Sequence, residues 1–281
     1  MIGLGSYAFF WQHSPENPAS IDVHEALRRT RALGVDLFQI CDYMPLDSMT
    51  DRELAEVRAT ASGLGITLEV GTKGVTPDKL ERYLDIAVAL DAGLVRSMLY
   101  TPGSRPSLAE AESYLRDALV AYEAAGVTLA LETYEQVSST DLVSLVESVG
   151  HDNLGICLDP ANAVAALENP RDVIDRTAPY VKNIHVKDFA FTRRGGWVGF
   201  TLEGAPLGTG LLDYDYLVQA VRPDERGINQ IVEHWLPLTD TIDETVSVEQ
   251  DWTARNLTYL TDHAAALAPT ASQPHSTRSN N

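Results

Sequence analysis

Four successive apolar runs of this chain end on side chains that bind metals: Glu132 in VTLALE, Asp159 in NLGICLD, His185 in VKNIHV and Glu233 in NQIVE. Each run follows a helix-like segment and carries its polar residue at or near its C-terminal end. A carboxylate at the end of a buried strand is costly unless something neutralises it. Four ligand-type residues converging on one point are what a divalent cation needs. Three carboxylates and one imidazole suit a hard-to-borderline ion, Mn2+ first, with Mg2+, Co2+ or Zn2+ as alternatives. Structural zinc is disfavoured because the set contains no thiolate. A lone His in an apolar strand is ordinarily a satisfied core residue, but the three carboxylates in register with His185 turn that reading toward a ligand.

The elements that must deliver these residues follow a regular alternation. IGLGSYA, VDLFQI, ITLEV, LVRSML, VTLALE, NLGICL, VKNIHV and NQIVE read as strands. They are short, lack strict alternation and are bounded by Gly, Asp or Pro, as expected of parallel strands covered on both faces. Helical patterns lie between them. VHEALRRTRALG stops at Gly34, and DRELAEVRATASGLG ends in the same way. TPDKLERYLDIAVALDAG opens with Thr76 as N-cap and Pro77 at the first helical position. Ser107 followed by Glu110 reads as a capping box. Strand starts recur about every 30 residues, the length of one βα unit. Eight units in a row predict an α/β fold, a single-domain (β/α)8 TIM barrel over residues 1–264, with a doubly wound open sheet as the alternative. The segment FAFTRRGGWVGFTLEGAPLGTGLLDYDY reads as a long Gly-rich loop after the seventh strand, on the face where barrel active sites are built. Residues 265–281, polar and rich in Ser, Pro and Asn, read as a disordered tail.

Composition sets further bounds. The chain has 281 residues, is 44% hydrophobic and carries a formal net charge of −19. That charge repels nucleic acid and anionic membrane, yet it permits an anionic substrate where a cation or local Arg and Lys reverse the field. Cys41 and Cys157 are too few for a disulfide framework and read as buried thiols. No apolar stretch approaches membrane-spanning length, and the first residues lack the pattern of a signal peptide, so a cytoplasmic location is expected.

The motifs LETYEQ around Glu132, GICLDPANA around Asp159, NIHVKDF around His185, the later PLGTGLLDY, and IVEHW around Glu233 carry a family likeness. On them the chain, to about Thr261, resembles the sugar isomerase/epimerase superfamily, the xylose isomerase-like TIM barrels that include ketose 3-epimerases and inosose dehydratase. The resemblance implies a small sugar substrate, one cation held by Glu132, Asp159, His185 and Glu233, and Glu132 and Glu233 as an acid–base pair. By analogy it also implies a homodimer or homotetramer. Ketose 3-epimerases typically have a substrate-contacting His three residues beyond the Asp. Here that position is Asn162, which hydrogen-bonds but cannot titrate.

Other residues are candidates for substrate contact. Lys187 shares the face of His185 by the period of two along a strand. Glu69 lies near the end of the third strand. Trp11 and His13, with Phe191, Trp197 and Trp235, are candidate walls of a sugar pocket. Arg193, beside Arg194 before two glycines, is a candidate carboxylate or phosphate clamp. Arg96, a cation inside an apolar strand, is expected to form an internal ion pair.

The function expected is a metal-dependent isomerase or epimerase that takes a proton next to a carbonyl of a keto-sugar through a metal-stabilised enediolate. A lyase or dehydratase acting by β-elimination on a keto-sugar, inosose or 3-keto-glycoside shares the first step and is the alternative. A non-catalytic sugar-binding subunit is a further reading. Phosphodiester cleavage on a related barrel is disfavoured by the scarcity of His and by the acidic charge.

Overall fold

The structure is a computed structural model that describes residues 1–267. Eight parallel strands close into a barrel: β1 Ile2–Gly5, β2 Leu37–Ile40, β3 Thr67–Lys73, β4 Leu94–Met98, β5 Thr128–Glu132, β6 Leu154–Leu158, β7 Val181–Val186 and β10 Asn229–Val232. Their order around the barrel is β1-β10-β7-β6-β5-β4-β3-β2. All eight predicted strands are present, and the fold is the predicted single (β/α)8 barrel. Because the strands are parallel, their C-terminal ends lie on one rim. Residues that close neighbouring strands β5, β6, β7 and β10 therefore converge there.

Local sequence explains the helices. Ser107 and Thr50 both form complete capping boxes, with Glu110 and Glu53. Gly65, Gly126 and Gly150 take the left-handed conformation that ends their helices. Thr76 is at the N-cap before Pro77 as expected, although its hydroxyl makes no capping bond. The apolar core fills the layer between barrel and helices, with Leu4, Phe38, Ile86, Leu115 and Leu217 all fully buried. The inside of the barrel is different, with Gln39, Glu69, Arg96, Asn183 and His185 buried there in hydrogen-bonded contact or ion pairs. Strands β2 and β3 approach closely at Gly71, where a Cβ would stand 2.0 Å from Cys41 Sγ. Both cysteines are free and buried, as expected.

One expectation is corrected. The Gly-rich segment after β7 is not a loop throughout. It forms an antiparallel ribbon of β8 Asp188–Arg193 and β9 Phe200–Ala205, in register from Asp188 opposite Ala205 to Arg193 opposite Phe200. Alternating Phe189, Phe191 and Arg193 is a strand pattern, which the glycines at the turn obscure. The Asp188 carboxylate ties the base of this ribbon to the PLGTGLL segment, accepting from the backbone N–H of Phe189, Gly208, Gly210 and Leu212. Of the expected tail, residues 265–267 belong to the helix Ile242–Leu267 and are not disordered, and residues 268–281 lie outside the described residues. Among the described residues no helix is long and apolar enough to cross a membrane.

The helix Ile242–Leu267 is pinned to the segment after β1 through Glu249. This buried carboxylate accepts from the backbone N–H of Trp11 (2.8 Å) and Gln12 (3.2 Å) and from Gln12 Nε2 (3.0 Å). Burial outweighs these donors and pushes its pKa up to about 7. Between the ordinary glutamate pKa, about 4.3, and about 7, the folded chain thus binds more protons than the unfolded chain. Stability from this group is complete below that window and lost as pH rises through it, by on the order of 3 kcal/mol. Urea-denaturation midpoints are expected to fall across this window in the wild type and to fall distinctly less in Glu249→Gln. Equal slopes in the two proteins would show that Glu249 does not titrate there.

Candidate metal centre at the barrel mouth

Glu132 is the last residue of β5 and lies opposite Cys157 of β6. Asp159 follows β6 and caps the short helix Pro160–Ala165. Its Oδ1 accepts from the backbone N–H of Ala161 (3.0 Å) and Asn162 (3.2 Å), which leaves Oδ2 facing the barrel axis partners. The DPAN motif is therefore a helix start with Pro at its first position, and that start orients a carboxylate. His185 pairs with Ile231 in the β7–β10 register, and Glu233 follows β10.

The four side chains meet. His185 Nδ1 is 3.2 Å from Glu132 Oε1, 3.4 Å from Glu233 Oε1 and 4.0 Å from Asp159 Oδ2. Ligand atoms of Glu132, Asp159 and His185 all lie within 4.8 Å of one another, and Glu233 forms a second such group with His185 and Cys41. All four residues are buried. Glu132 Oε2 and Asp159 Oδ2 are held in ion pairs without well-directed hydrogen bonds, and Glu233 Oε1 accepts no hydrogen bond. Three buried carboxylates gathered around an imidazole nitrogen, with Glu233 Oε1 left without a donor, are a set that fits a divalent cation.

Two buried cations adjoin the ligands. Arg96 Nε is 2.6 Å from Glu132 Oε2, and its Nη2 is 3.6 Å from Asp42 Oδ2, which is the internal pairing expected of it. Lys187 Nζ is 2.7 Å from Asp159 Oδ2 and 3.0 Å from Glu233 Oε2, with the Trp235 ring centre 4.6 Å away. Burial pushes the Glu132 carboxyl up, but Arg96, His185 and Lys187 outweigh it and pull it down to about 2. At Asp159 burial prevails over Lys187, and the carboxyl sits above its ordinary value. Burial works against the Lys187 ammonium, yet Asp159, Glu233 and Glu132 hold it firmly protonated.

A cavity of about 90 Å³ opens beside this cluster, lined by Tyr7, Arg96, Glu132, Asn162, Lys187, Glu233 and Trp235 among others. It shares Tyr7 and Asp42 with a neighbouring cavity of about 540 Å³ that His13 lines. The structure thus brings Asn162 and Lys187 to the mouth. Asn162 Nδ2 donates to Glu132 Oε1 (3.0 Å) and to the Thr133 carbonyl (3.1 Å), so it steadies a ligand. Trp11 stands further out, with its indole N–H donating to the Leu236 carbonyl. His13 Nδ1 bonds the Ile21 carbonyl, and its ring lies 5.1 Å from that of Tyr43. Arg193 lies on the exposed ribbon, over the rings of Phe200 (4.5 Å) and Trp197 (5.2 Å), and does not line the mouth cavity. Glu69 is not on the rim. It sits inside the barrel beneath His185 and lines a cavity of about 410 Å³ that opens at the N-terminal ends of the strands. Asp42 and Tyr7 escaped the sequence reading. Each follows a strand directly or nearly so, the same signal that marks Glu233, and Asp42 adopts a positive φ of 50° to reach Lys73 and Arg96.

Comparison with known proteins agrees with the fold. A family model described as "Xylose isomerase-like TIM barrel" matches residues 27–263. The chain is 49% identical over 259 residues, 92% of its own length and 94% of the relative's, to the 3-oxo-isoapionate decarboxylase of Pectobacterium atrosepticum. Among solved structures, a D-psicose 3-epimerase with D-tagatose from Clostridium cellulolyticum H10 superposes with a TM-score of 0.69 at 17% identity, covering 94% of this chain and 98% of that one. A xylose isomerase-like TIM barrel protein from Mycobacterium smegmatis in complex with magnesium superposes with a TM-score of 0.66 at 18% identity, covering 91% and 96%.

Proposed function

The chain belongs to the xylose isomerase-like TIM barrel family, and from that premise we propose that it is a divalent-metal-dependent lyase that decarboxylates a 3-oxo sugar acid. The observation that carries this reading is the buried ammonium of Lys187 among the ligand carboxylates, on the wall of the mouth cavity. A cation placed there suits a substrate that brings its own carboxylate next to a ketone. The 3-oxo acid named for the relative at 49% identity is such a compound.

In a 3-oxo acid the carboxylate is one carbon removed from the ketone. Breaking the bond to the carboxyl carbon releases CO2 and moves the electron pair into the ketone, leaving an enolate. Glu132, Asp159, Glu233 and His185 Nδ1 would hold the cation, which supplies Lewis-acid polarisation of the ketone when bound. Arg96 keeps Glu132 ionised, and Asn162 keeps it oriented. Lys187 draws in the anionic substrate, and Trp235 covers its ammonium from water. A proton passes from Lys187 Nζ to the carbon that has lost CO2, leaving a neutral amine, and the Glu233 carboxylate, 3.0 Å from that nitrogen, favours its reprotonation from solvent. The isomerase or epimerase reading breaks a C–H bond in place of the C–C bond and shares the same electron sink. Glu132 and Glu233 both line the cavity, as a two-faced proton transfer requires.

The test is incubation with 3-oxo-isoapionate in D2O with Mn2+, followed by NMR and CO2 detection. The expected outcome is one CO2 per turnover and one deuterium on the carbon that carried the carboxylate. Deuterium exchange or epimer formation with ketoses, without CO2 from the keto acid, overturns the lyase reading in favour of the isomerase.

A further inference from the structure

We propose that Gln39 and Glu69 are positioning residues that decide which ring nitrogen of His185 is free to bind a cation. A neutral imidazole carries one proton on either nitrogen. With the proton on Nε2, Nδ1 offers its lone pair toward the three carboxylates. With the proton on Nδ1, the ring donates to Glu132 Oε1, 3.2 Å away, and has nothing to offer a metal. His185 Nε2 lies 2.8 Å from Gln39 Oε1.

Taken alone, Gln39 matches either tautomer, because an amide presents an acceptor on one side and a donor on the other. The residues behind it remove the ambiguity. Gln39 Nε2 donates to Glu69 Oε2 at 2.9 Å and to Asn183 Oδ1 at 3.1 Å. Turning the amide over would set its oxygen against both of those oxygens. Asn183 is itself held by the same carboxylate, its Nδ2 donating to Glu69 Oε2 at 3.0 Å. Asn229 Nδ2 donates to Glu69 Oε1 at 2.6 Å. The three hydrogen-bond partners of Glu69 are all amide donors, so the carboxylate acts purely as an acceptor. Cys41 adds a thiol 3.1 Å from Gln39 Oε1, again on the acceptor side. Polarity set by Glu69 on β3 is thus handed through Gln39 on β2 to His185 on β7.

Burial makes this arrangement consequential. Gln39, Asn183 and His185 are 0% exposed, so solvent cannot substitute for a misdirected partner around the ring, whereas Glu69, 3% exposed, borders the cavity at the N-terminal ends of the strands. An acidic residue inside a barrel costs desolvation that an apolar side chain avoids. That cost is offset here by the three amide N–H hydrogen bonds that Glu69 accepts and through which it orients the residues above it. The tautomer is independent of the metal reading, whereas its consequence for a bound cation rests on that reading.

The test uses the full chain with 15N-labelled histidine, metal-free, at a pH high enough to leave the ring neutral. Long-range 1H–15N spectra report the protonated nitrogen, His185→Gln assigns the signal, and Zn2+ binding is measured by calorimetry on the same samples. The wild type is expected to carry its proton on Nε2. Gln39→Leu, with its thermal unfolding checked by circular dichroism, is expected to move the proton to Nδ1 and weaken Zn2+ binding about 10–100-fold. Glu69→Gln removes the pure acceptor and is expected to give a mixture of tautomers with a smaller loss of affinity. A proton on Nδ1 in the wild type overturns the proposal. So does a folded Gln39→Leu with unchanged tautomer and unchanged affinity. Should Gln39→Leu not fold, an unaltered tautomer in Glu69→Gln overturns it instead. If the tautomer switches as expected while the wild type takes up no Zn2+, the positioning role stands and the metal reading falls.

Discussion

Glu132→Gln is expected to lower turnover by about 10²–10⁴-fold and to weaken metal binding in the same protein. Glu132 serves three neighbours at once. Its Oε1 receives Asn162 and faces His185 Nδ1, and its Oε2 faces the Arg96 guanidinium. A carboxamide presents an NH2 group on one of these sides. Turned toward Arg96, it confronts a buried cation with a donor; turned toward Asn162, it confronts another donor. Either way one carboxylate oxygen and the nearer of the two carboxylate partners of Arg96 are lost. Asp42, 3.6 Å from Arg96, compensates only in part. Removing one partner of a buried ion pair typically costs about 3–5 kcal/mol, so a lower denaturation midpoint is expected alongside the kinetic loss. Asp117→Asn, on an exposed helix surface, is the control and should match the wild type. A Glu132→Gln protein with wild-type turnover and Mn2+ affinity would remove Glu132 from the centre altogether.

Lys187→Met has the second large effect and separates charge from fold. The substitution deletes the ammonium that spans Asp159 and Glu233 while keeping the length of an apolar side chain. With the 3-oxo acid as substrate, kcat/KM is expected to fall by about 10²-fold or more, since both substrate attraction and proton return depend on Lys187 Nζ. Stability moves in a diagnostic way. Without metal, Asp159 and Glu233 repel one another across a buried site, and the variant should unfold earlier than the wild type. Added Mn2+ replaces the lost charge, so the rise in melting temperature on metal addition should be larger in the variant than in the wild type. An equal rise in both proteins would mean that the ammonium and the cation do not share these carboxylates.

The site was partly legible before any coordinates. Glu132, Asp159, His185 and Glu233 announce themselves because a charged residue at the end of an apolar run has few innocent explanations, and the fold then brings them together. Asn162 and Lys187 also reach the mouth cavity. Asn162 proves to donate to the Glu132 carboxylate, a task that an untitratable amide performs. Arg193, Trp11 and His13 were legible only as residue types beyond strand ends; the structure puts Arg193 on β8 and Trp11 and His13 in the helical turn Phe10–His13. The ribbon of β8 and β9 was hidden because its alternating pattern is interrupted by the glycines of its own turn.

By itself the sequence determined the repeating βα alternation, the capped helix starts, the closed eight-stranded barrel and the four polar residues at neighbouring strand ends. These depend on local periodicity and on the common direction of parallel strands, both of which a linear pattern records. Only the tertiary structure decided how the polar interior is wired: Gln39 to Glu69, Asn183 and His185, Arg96 to Glu132, and Lys187 to Asp159 and Glu233. Those partners come from different strands and, in the case of Gln39 and His185, lie 146 residues apart. Barrel closure chooses the pairs, because curvature and register set which inward-facing groups come within hydrogen-bonding distance.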